Sequence, residues 1–471
     1  MTVFVFGVVL VFAGIVGAGA ENPRPNVLFV VFDDLNDWVG ALGDRQVKTP
    51  NLDAFAKKGV LFTNAHCVAS VCNPSRVAIL TGLRPETTGV FSQGQRLRDL
   101  LPGVVTLPDW FRKHGYLAVG VGKVFDIPDP ASWDDYFFWD PGAMESEGVE
   151  RYYEPPAPQP LVRPATDLSR KYGANIDFAP LDEAESAMPD HQVVDLARKF
   201  LWESHDKPFF LAVGIHKPHL PWFTPRRYFE QYPLTAVEPP ELIESDLADV
   251  PDYGKRIALS KAGSSFTPFS VVEETGLWKA WIQAYLASVT FADAQFGRLM
   301  EALREGPNVA NTVIVVCSDH GFHHGEKEHL HKYTLWERST HVPLMISARN
   351  VGSEGVRIQQ PVSLLDLFPT LIDLCRIDAP GDVAIEGHSL IGLLEDPTRN
   401  WPYAAVTSLD RGSASVRTAK WRYIRYADGG EELYDHTNDP HEWVNLVDRP
   451  ESQSIIVELA KHLPASKLTP P

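Results

Sequence analysis

The chain has 471 residues, 44% of them hydrophobic and 22% charged, a length and balance that fit a large globular domain with a smaller companion and exclude disordered, fibrous and coiled-coil classes. Its formal charge of −18, from 43 basic against 61 acidic side chains, disfavours nucleic acid and anionic membrane as partners, so an anionic substrate needs a local basic cluster. Four cysteines are too few for a disulfide framework in a chain of this size.

Residues 1–20 carry an apolar run over 3–16 and close on Ala18-Gly19-Ala20 before the polar Glu21. This pattern predicts a signal peptide and a periplasmic or extracellular (secreted) protein with no stable membrane span after cleavage. No Lys or Arg precedes the apolar run, so a retained anchor is the alternative.

Residues 26–32 read as a buried strand that ends abruptly in Asp33-Asp34. Thr49 is placed to cap a helix with Pro50 at its first position and Leu52 and Phe55 facing inward. Residues 60–62 return as an extended segment, 107–114 read as a helix, 116–121 and 209–213 as strands, and 278–303 as a long helix. The run 312–316 repeats the first arrangement and leads into Asp319-His320. Such alternation predicts an α/β fold, a large mostly parallel sheet with helices on both faces. Both acidic pairs then occupy strand carboxyl ends, where open α/β sheets gather ligands. The proline-rich stretches 140–168 and 218–268 are expected to wall a substrate pocket. From residue 384 the texture becomes β-rich over 415–423 and 432–434, with Asp428-Gly429-Gly430 as a hairpin signal. The expected organisation is a signal peptide at 1–20, a catalytic domain at 21–383 and a C-terminal antiparallel-sheet subdomain at 384–471.

The most informative segment is Ser70-Val71-Cys72-Asn73-Pro74-Ser75-Arg76. A helix starting near Pro74 puts Cys72 at its N-terminus, where unpaired N–H groups favour negative charge, and puts Arg76 on the same side. The residues alone allow a thiolate nucleophile or a core cysteine.

Cys72-x-Pro-Ser-Arg76, followed by Leu80-Thr81-Gly82, resembles the signature by which type I sulfatases direct oxidation of cysteine to formylglycine. Thr49-Pro50-Asn51-Leu52-Asp53, Gly122-Lys123-Val124-Phe125, His216-Lys217-Pro218-His219, Ser318-Asp319-His320-Gly321, Lys332-Tyr333 and Thr340-His341-Val342-Pro343-Leu344 are similar to further blocks of that family, and together to its iduronate-2-sulfatase branch. The resemblance implies an alkaline-phosphatase-like fold and hydrolysis of sulfate monoesters on sulfated carbohydrate. It implies a formylglycine (3-oxoalanine) made from Cys72 by a maturation enzyme, and Ca2+ held by Asp33, Asp34, Asp319, His320 and residue 72. Arg76 and Lys123 would hold the modified residue, Lys332 the sulfate, and His216 would protonate the leaving oxygen. Attack by the hydrated aldehyde and its later collapse would expel sulfate and regenerate the enzyme.

One position departs from the pattern. Relatives carry a His shortly after the Gly-Lys block, where this chain has Asp126; it either serves as the base, leaves the step to another residue, or marks a lost activity. His323, His324, His329 and His331 are unusually dense beside His320, but lack familiar zinc spacing, so substrate contact or surface exposure is expected of them. His219, Trp222, Tyr333 and Trp336 are the candidates for lining a sugar pocket, with core packing as the alternative for the aromatics. Two rival functions follow: a phosphodiester or phosphonate ester hydrolase on the same scaffold, and a catalytically silent protein that binds sulfated glycans.

Overall fold

A computed structural model describes residues 24–137, 177–259, 269–349, 351–381 and 384–464. The expected signal peptide and the stretch 140–168 lie outside the described residues. Asn26–Phe32 (β1) sends Val27, Phe29 and Val31 into one apolar layer and Leu28, Val30 and Phe32 into another. A strand buried on both faces belongs in the middle of a sheet, and β1 lies there. The other strands of this sheet are Val60–His66 (β2), Leu117–Gly122 (β3), Asp135–Phe137 (β4), Phe209–Ile215 (β5), Thr312–Ser318 (β6), His341–Ser347 (β7), Arg357–Ile358 (β8) and Val362–Ser363 (β9). Their order is β8-β2-β7-β6-β1-β5-β3-β4, with β9 also on β2. All pairs are parallel except those made by β7.

Helices Pro50–Ala56 (α1), Cys72–Thr81 (α2), Leu107–Lys113 (α3), Pro189–Trp202 (α4), Trp278–Glu305 (α5) and Leu367–Leu374 (α6) cover the sheet. The layer with Leu28 and Val30 is filled by α1, α4 and α5, and the layer with Val27 and Phe29 by α2, α3 and α6. Downstream of residue 384 the chain first adds Leu390, Leu393 and Leu394 to this second layer. It then forms a four-stranded antiparallel sheet from Ala405–Asp410 (β10), Ser413–Arg417 (β11), Trp421–Arg425 (β12) and Glu431–Asp435 (β13). The expected single β-rich run at 415–423 is therefore two strands and a turn, and the Asp428-Gly429-Gly430 signal is the hairpin between β12 and β13. Helix Ser452–Ala460 (α7) packs Ile456 and Leu459 on one face of this sheet. Trp336, Leu335 and Val250 cover the other.

Two expectations are corrected. Thr49 stands at the N-cap of α1, but its hydroxyl accepts from the Gly40 N–H at 2.9 Å and donates to Asp53. The open N–H groups of Asn51 and Leu52 are instead bonded by the Asp293 carboxylate of α5, at 3.2 and 2.8 Å. The stretch 218–268, expected as a long loop, holds a strand at Trp222–Pro225 and helices at Arg226–Phe229 and Asp252–Leu259 among its described residues. Its Tyr228, Phe229 and Tyr232 are core residues, because aromatic side chains spaced between the prolines recover more by burial than by exposure.

Candidate active site

Four neighbouring parallel strands deliver their carboxyl ends to one place. β6 ends in Asp319-His320, β1 in Asp33-Asp34, β5 in the turn His216 to His219, and β3 in Lys123. β2 leads through residues 67–71 to α2, which starts at Cys72, two residues before the expected Pro74. The cysteine thus occupies the first helical turn, where the dipole favours negative charge.

All ten residues of α2 are buried, and Arg76 is among them for a reason visible in its bonds. Its Nε donates to Asp319 Oδ2 at 2.7 Å, Nη1 to the carbonyl of Lys123 and to that of Val124 at 3.2 Å, and Nη2 to the Phe32 carbonyl at 3.5 Å. One guanidinium therefore ties together the ends of β6, β3 and β1. A fixed fork of five donors can satisfy such a set, which an ammonium cannot.

Each buried carboxylate has its own cation. Asp319 has Arg76, Asp33 has Lys123 Nζ at 2.5 Å, and Asp34 has Lys332 Nζ at 2.8 Å. Lys123 also meets Asp126 at 2.8 Å. Burial alone would raise Asp33, but Lys123, His219, Arg76 and Lys332 hold its carboxyl well below the usual carboxylate range. Burial would likewise lower Lys123, and Asp126 and Asp33 more than reverse it.

Cys72 Sγ lies 3.1 Å from His320 Nε2 and 3.5 Å from Asp33 Oδ1. Burial pushes its thiol up and the neighbouring Asp33 pushes it further, against the pull of Lys123 and Lys332. Without a bound cation, the surroundings of an unmodified Cys72 therefore favour the thiol over the thiolate. Potential ligand atoms of Asp33, Cys72, Asp319 and His320 lie within 4.8 Å of one another, as do those of Asp33, Asp34, Cys72 and His219. His320 Nδ1 faces the Gly321 carbonyl at 3.0 Å, which leaves Nε2 as the nitrogen presented to the cluster.

These residues suit a hard dication. Three carboxylates supply oxygen donors, and with Asp126 the four acids exceed the three cations by one negative charge.

The turn after β5 is held from below. The Asp190 carboxylate in the first turn of α4 accepts from the backbone N–H groups of His216 and Lys217 at 2.7 and 3.0 Å. The His216 and His219 rings lie 4.8 Å apart, and His219 Nε2 is 3.9 Å from Asp34 Oδ2. Burial lowers the pKa of both histidines well below the ordinary value. His219 thus reaches the edge of the cluster through Asp34, with His216, the expected proton donor, beside it. Tyr285 of α5 donates its hydroxyl to the Asp34 carbonyl at 2.8 Å, where Asp34 adopts a left-handed backbone with φ 65°. Asp190 and Tyr285 carried no sequence signal, since neither lies in a motif.

Other candidates sit elsewhere than expected. Trp222 and Trp336 are 0% and 1% exposed and do not line a pocket. Trp222 packs on Trp281 and Tyr285, and the Trp336 indole donates to Glu432 at 2.8 Å. Tyr333 is half-buried, its N–H on the Ser70 carbonyl at 3.0 Å, two residues from Cys72. His323, His324, His329 and His331 are buried rather than exposed. His323 bonds the Glu326 carbonyl and Thr334, His329 bonds the carbonyls of Ala258 and Lys332, and His324 stacks on Trp38. They brace the segment that carries Lys332, and no metal-ligating group among the described residues includes them.

A mostly parallel sheet whose carboxyl edge gathers acidic and basic side chains, followed by a small antiparallel sheet, is the alkaline-phosphatase-like architecture of the sulfuric ester hydrolases. Residues 25–377 match the sulfatase family model, and residues 325–468 match the model for the C-terminal region of N-sulphoglucosamine sulphohydrolase. The chain belongs to the sulfatase family and is a sulfuric ester hydrolase. It is 36% identical over 461 residues to a sulfatase of Formosa agariphila, covering 95% of this chain and 88% of that one. It is 32% identical over 400 residues to human iduronate 2-sulfatase, covering 77% and 71%. Among solved structures, one in complex with its substrate D-glucosamine-2-N,6-O-disulfate superposes with a TM-score of 0.72 at 21% identity, over 93% of this chain and 96% of that one. The phosphonate monoester hydrolase of Agrobacterium radiobacter superposes with a TM-score of 0.76 at 22% identity, over 93% and 96%.

Proposed function

We propose that this sulfatase removes sulfate from sulfated, uronic-acid-containing carbohydrate in the periplasm or outside the cell, with Cys72 matured to formylglycine and a calcium ion bound beside it. The observation that carries the reading is the meeting of Cys72 with three carboxylate–cation pairs at the ends of four adjacent strands. The similarity to iduronate 2-sulfatase and to a structure with a sulfated glucosamine supports the carbohydrate class.

Asp33, Asp34, Asp319 and His320 would hold the calcium, which would supply positive charge to the sulfate oxygens, and residue 72, once matured, would supply the oxygen nucleophile. The remaining work falls to ordinary side chains. Arg76 and Lys123 fix the position of residue 72, and Lys332 offers its ammonium to the sulfate. His216 or His219 places a proton at the leaving oxygen, and Asp126 is the base for the release of sulfate. On this reading a leader at 1–20 precedes a catalytic unit that begins at 21 and keeps Leu390, Leu393 and Leu394 in its core, and the C-terminal unit, expected at 384–471, is built on the sheet that starts at Ala405.

The test uses protein co-produced with a formylglycine-generating enzyme and assayed on a 2-O-sulfated uronate disaccharide, an aryl sulfate and phenylphosphonate monoester. Sulfate release from the disaccharide, lost in Cys72→Ala and after chelation with EGTA, is expected. Preferred turnover of the phosphonate would favour the phosphonate hydrolase, and binding of the disaccharide without release would favour the silent glycan binder.

A further inference from the structure

Beyond the β8 edge of the large sheet, a cavity of about 660 Å³ opens between the segment after β8, the loop that precedes β10 and the turn between β11 and β12. This is within the roughly 300–1,000 Å³ of small-ligand pockets, and no residue of the Cys72 cluster lines it. Its lining includes Arg357, Arg399 and His462, and an adjoining hollow that shares Arg399, Trp401 and Tyr403 adds His388 and one acid, Glu395. The rim is aromatic. Tyr403, 40% exposed, stacks on the exposed His388 with ring centroids 3.5 Å apart and planes at 12°, and Trp401 meets Tyr403 at 4.9 Å.

The rim is also held in place. The Trp401 indole N–H donates to the Pro361 carbonyl at 2.9 Å, and the Gln360 amide donates to the carbonyls of Pro397 and Arg399 at 2.8 and 3.3 Å. Arg399 lies across Gly392, where a Cβ would meet its Nη1 at 2.7 Å. Preorganised aromatic faces take up the apolar face of a sugar ring at little ordering cost, and planar guanidinium groups pair with sulfate oxygens through parallel N–H bonds.

We propose that this groove is a second, non-catalytic site that binds a sulfated oligosaccharide and holds a polymeric substrate to the enzyme. The choice of ligand rests on the carbohydrate reading above. Single-stranded nucleic acid also uses aromatics and Arg, but it needs a basic track along its backbone, and two arginines in a strongly acidic chain do not provide one.

Full-length Cys72→Ala protein titrated calorimetrically with heparin hexasaccharide is expected to show two binding events per chain, one at the catalytic cluster and one at the groove. Tyr403→Ala combined with Arg399→Gln should weaken one event at least tenfold. In the Cys72-containing chain the same pair should leave kcat on an aryl sulfate unchanged, which also shows that the fold is retained, and should raise KM on polymer. A binding isotherm that the Tyr403→Ala and Arg399→Gln pair leaves unchanged, equal binding by desulfated hexasaccharide, or tighter binding of an oligodeoxynucleotide overturns the second site. Failure to turn over any sulfate ester would instead overturn the proposed function, and the binding measurement would stand apart from it.

Discussion

Asp126 differs chemically from the His expected at its position, and the proposed role of base can be tested from its setting. It shares Lys123 Nζ with Asp33, at 2.8 Å against 2.5 Å, so the ammonium is held between two acids. An anion at this point sets the charge balance of the site and can accept a proton during sulfate release. Asp126→Asn should therefore leave release of the alcohol in the first turnover fast, while steady-state kcat falls by about 10²–10⁴, the usual contribution of a general base. Rapid-quench kinetics on an aryl sulfate would check this, and an undiminished steady state would remove Asp126 from the mechanism. The residues legible in the sequence were those inside local motifs, such as Cys72 with Arg76 and the Asp33-Asp34 pair. Asp190 and Tyr285 were not legible, because they reach the site across 26 and 251 positions and depend on how α4 and α5 pack.

At the scale of elements, the strands were readable because burial on both faces writes continuous apolar runs, as in β1, β5 and β6. Helix ends were less readable. Thr49 has the right chemistry for a cap, yet α5 brings Asp293 to the same N–H groups, and the carboxylate wins through two backbone bonds and a third to the Asn51 side chain at 2.7 Å. Asp293→Ala should cost about 1–2 kcal/mol, the usual loss of a helix cap, read as a lower urea midpoint. Thr49→Ser, which keeps the hydroxyl, should leave the midpoint in place. A neutral Asp293→Ala would return the cap to Thr49. The aromatic candidates went astray for a related reason: composition cannot distinguish a tryptophan facing a sugar from one facing a core, and packing decided for the core at Trp222 and Trp336.

At the scale of the whole molecule, the small sheet anchors the Lys332 segment. Arg422 of β12 donates to the Leu335 carbonyl at 2.9 Å, pairs with Glu442 at 2.5 Å and bonds Glu337. Burial would raise the Glu337 carboxyl, but Arg417, His436 and Arg422 hold it well below its ordinary 4.5. Glu442 is lowered as well, burial again being outweighed, chiefly by Arg422 and His436. A carboxyl depressed in the folded state adds stability that is complete above its unfolded value and is lost as pH falls through the folded one. The difference in urea midpoint between the parent and Glu337→Gln should therefore hold from neutral pH to about 5 and shrink below about 4.5. Glu337→Gln should start lower at pH 7 and converge on the parent in acid. Parallel curves for the two proteins would mean that the pairing contributes no pH dependence.

The most direct test of the account is mass spectrometry of the peptide carrying residue 72, on protein from a host proven to mature other sulfatases. The account predicts that sulfur is replaced by oxygen with loss of two hydrogens, the signature of formylglycine. An intact Cys72 thiol in protein that nevertheless releases sulfate would contradict it.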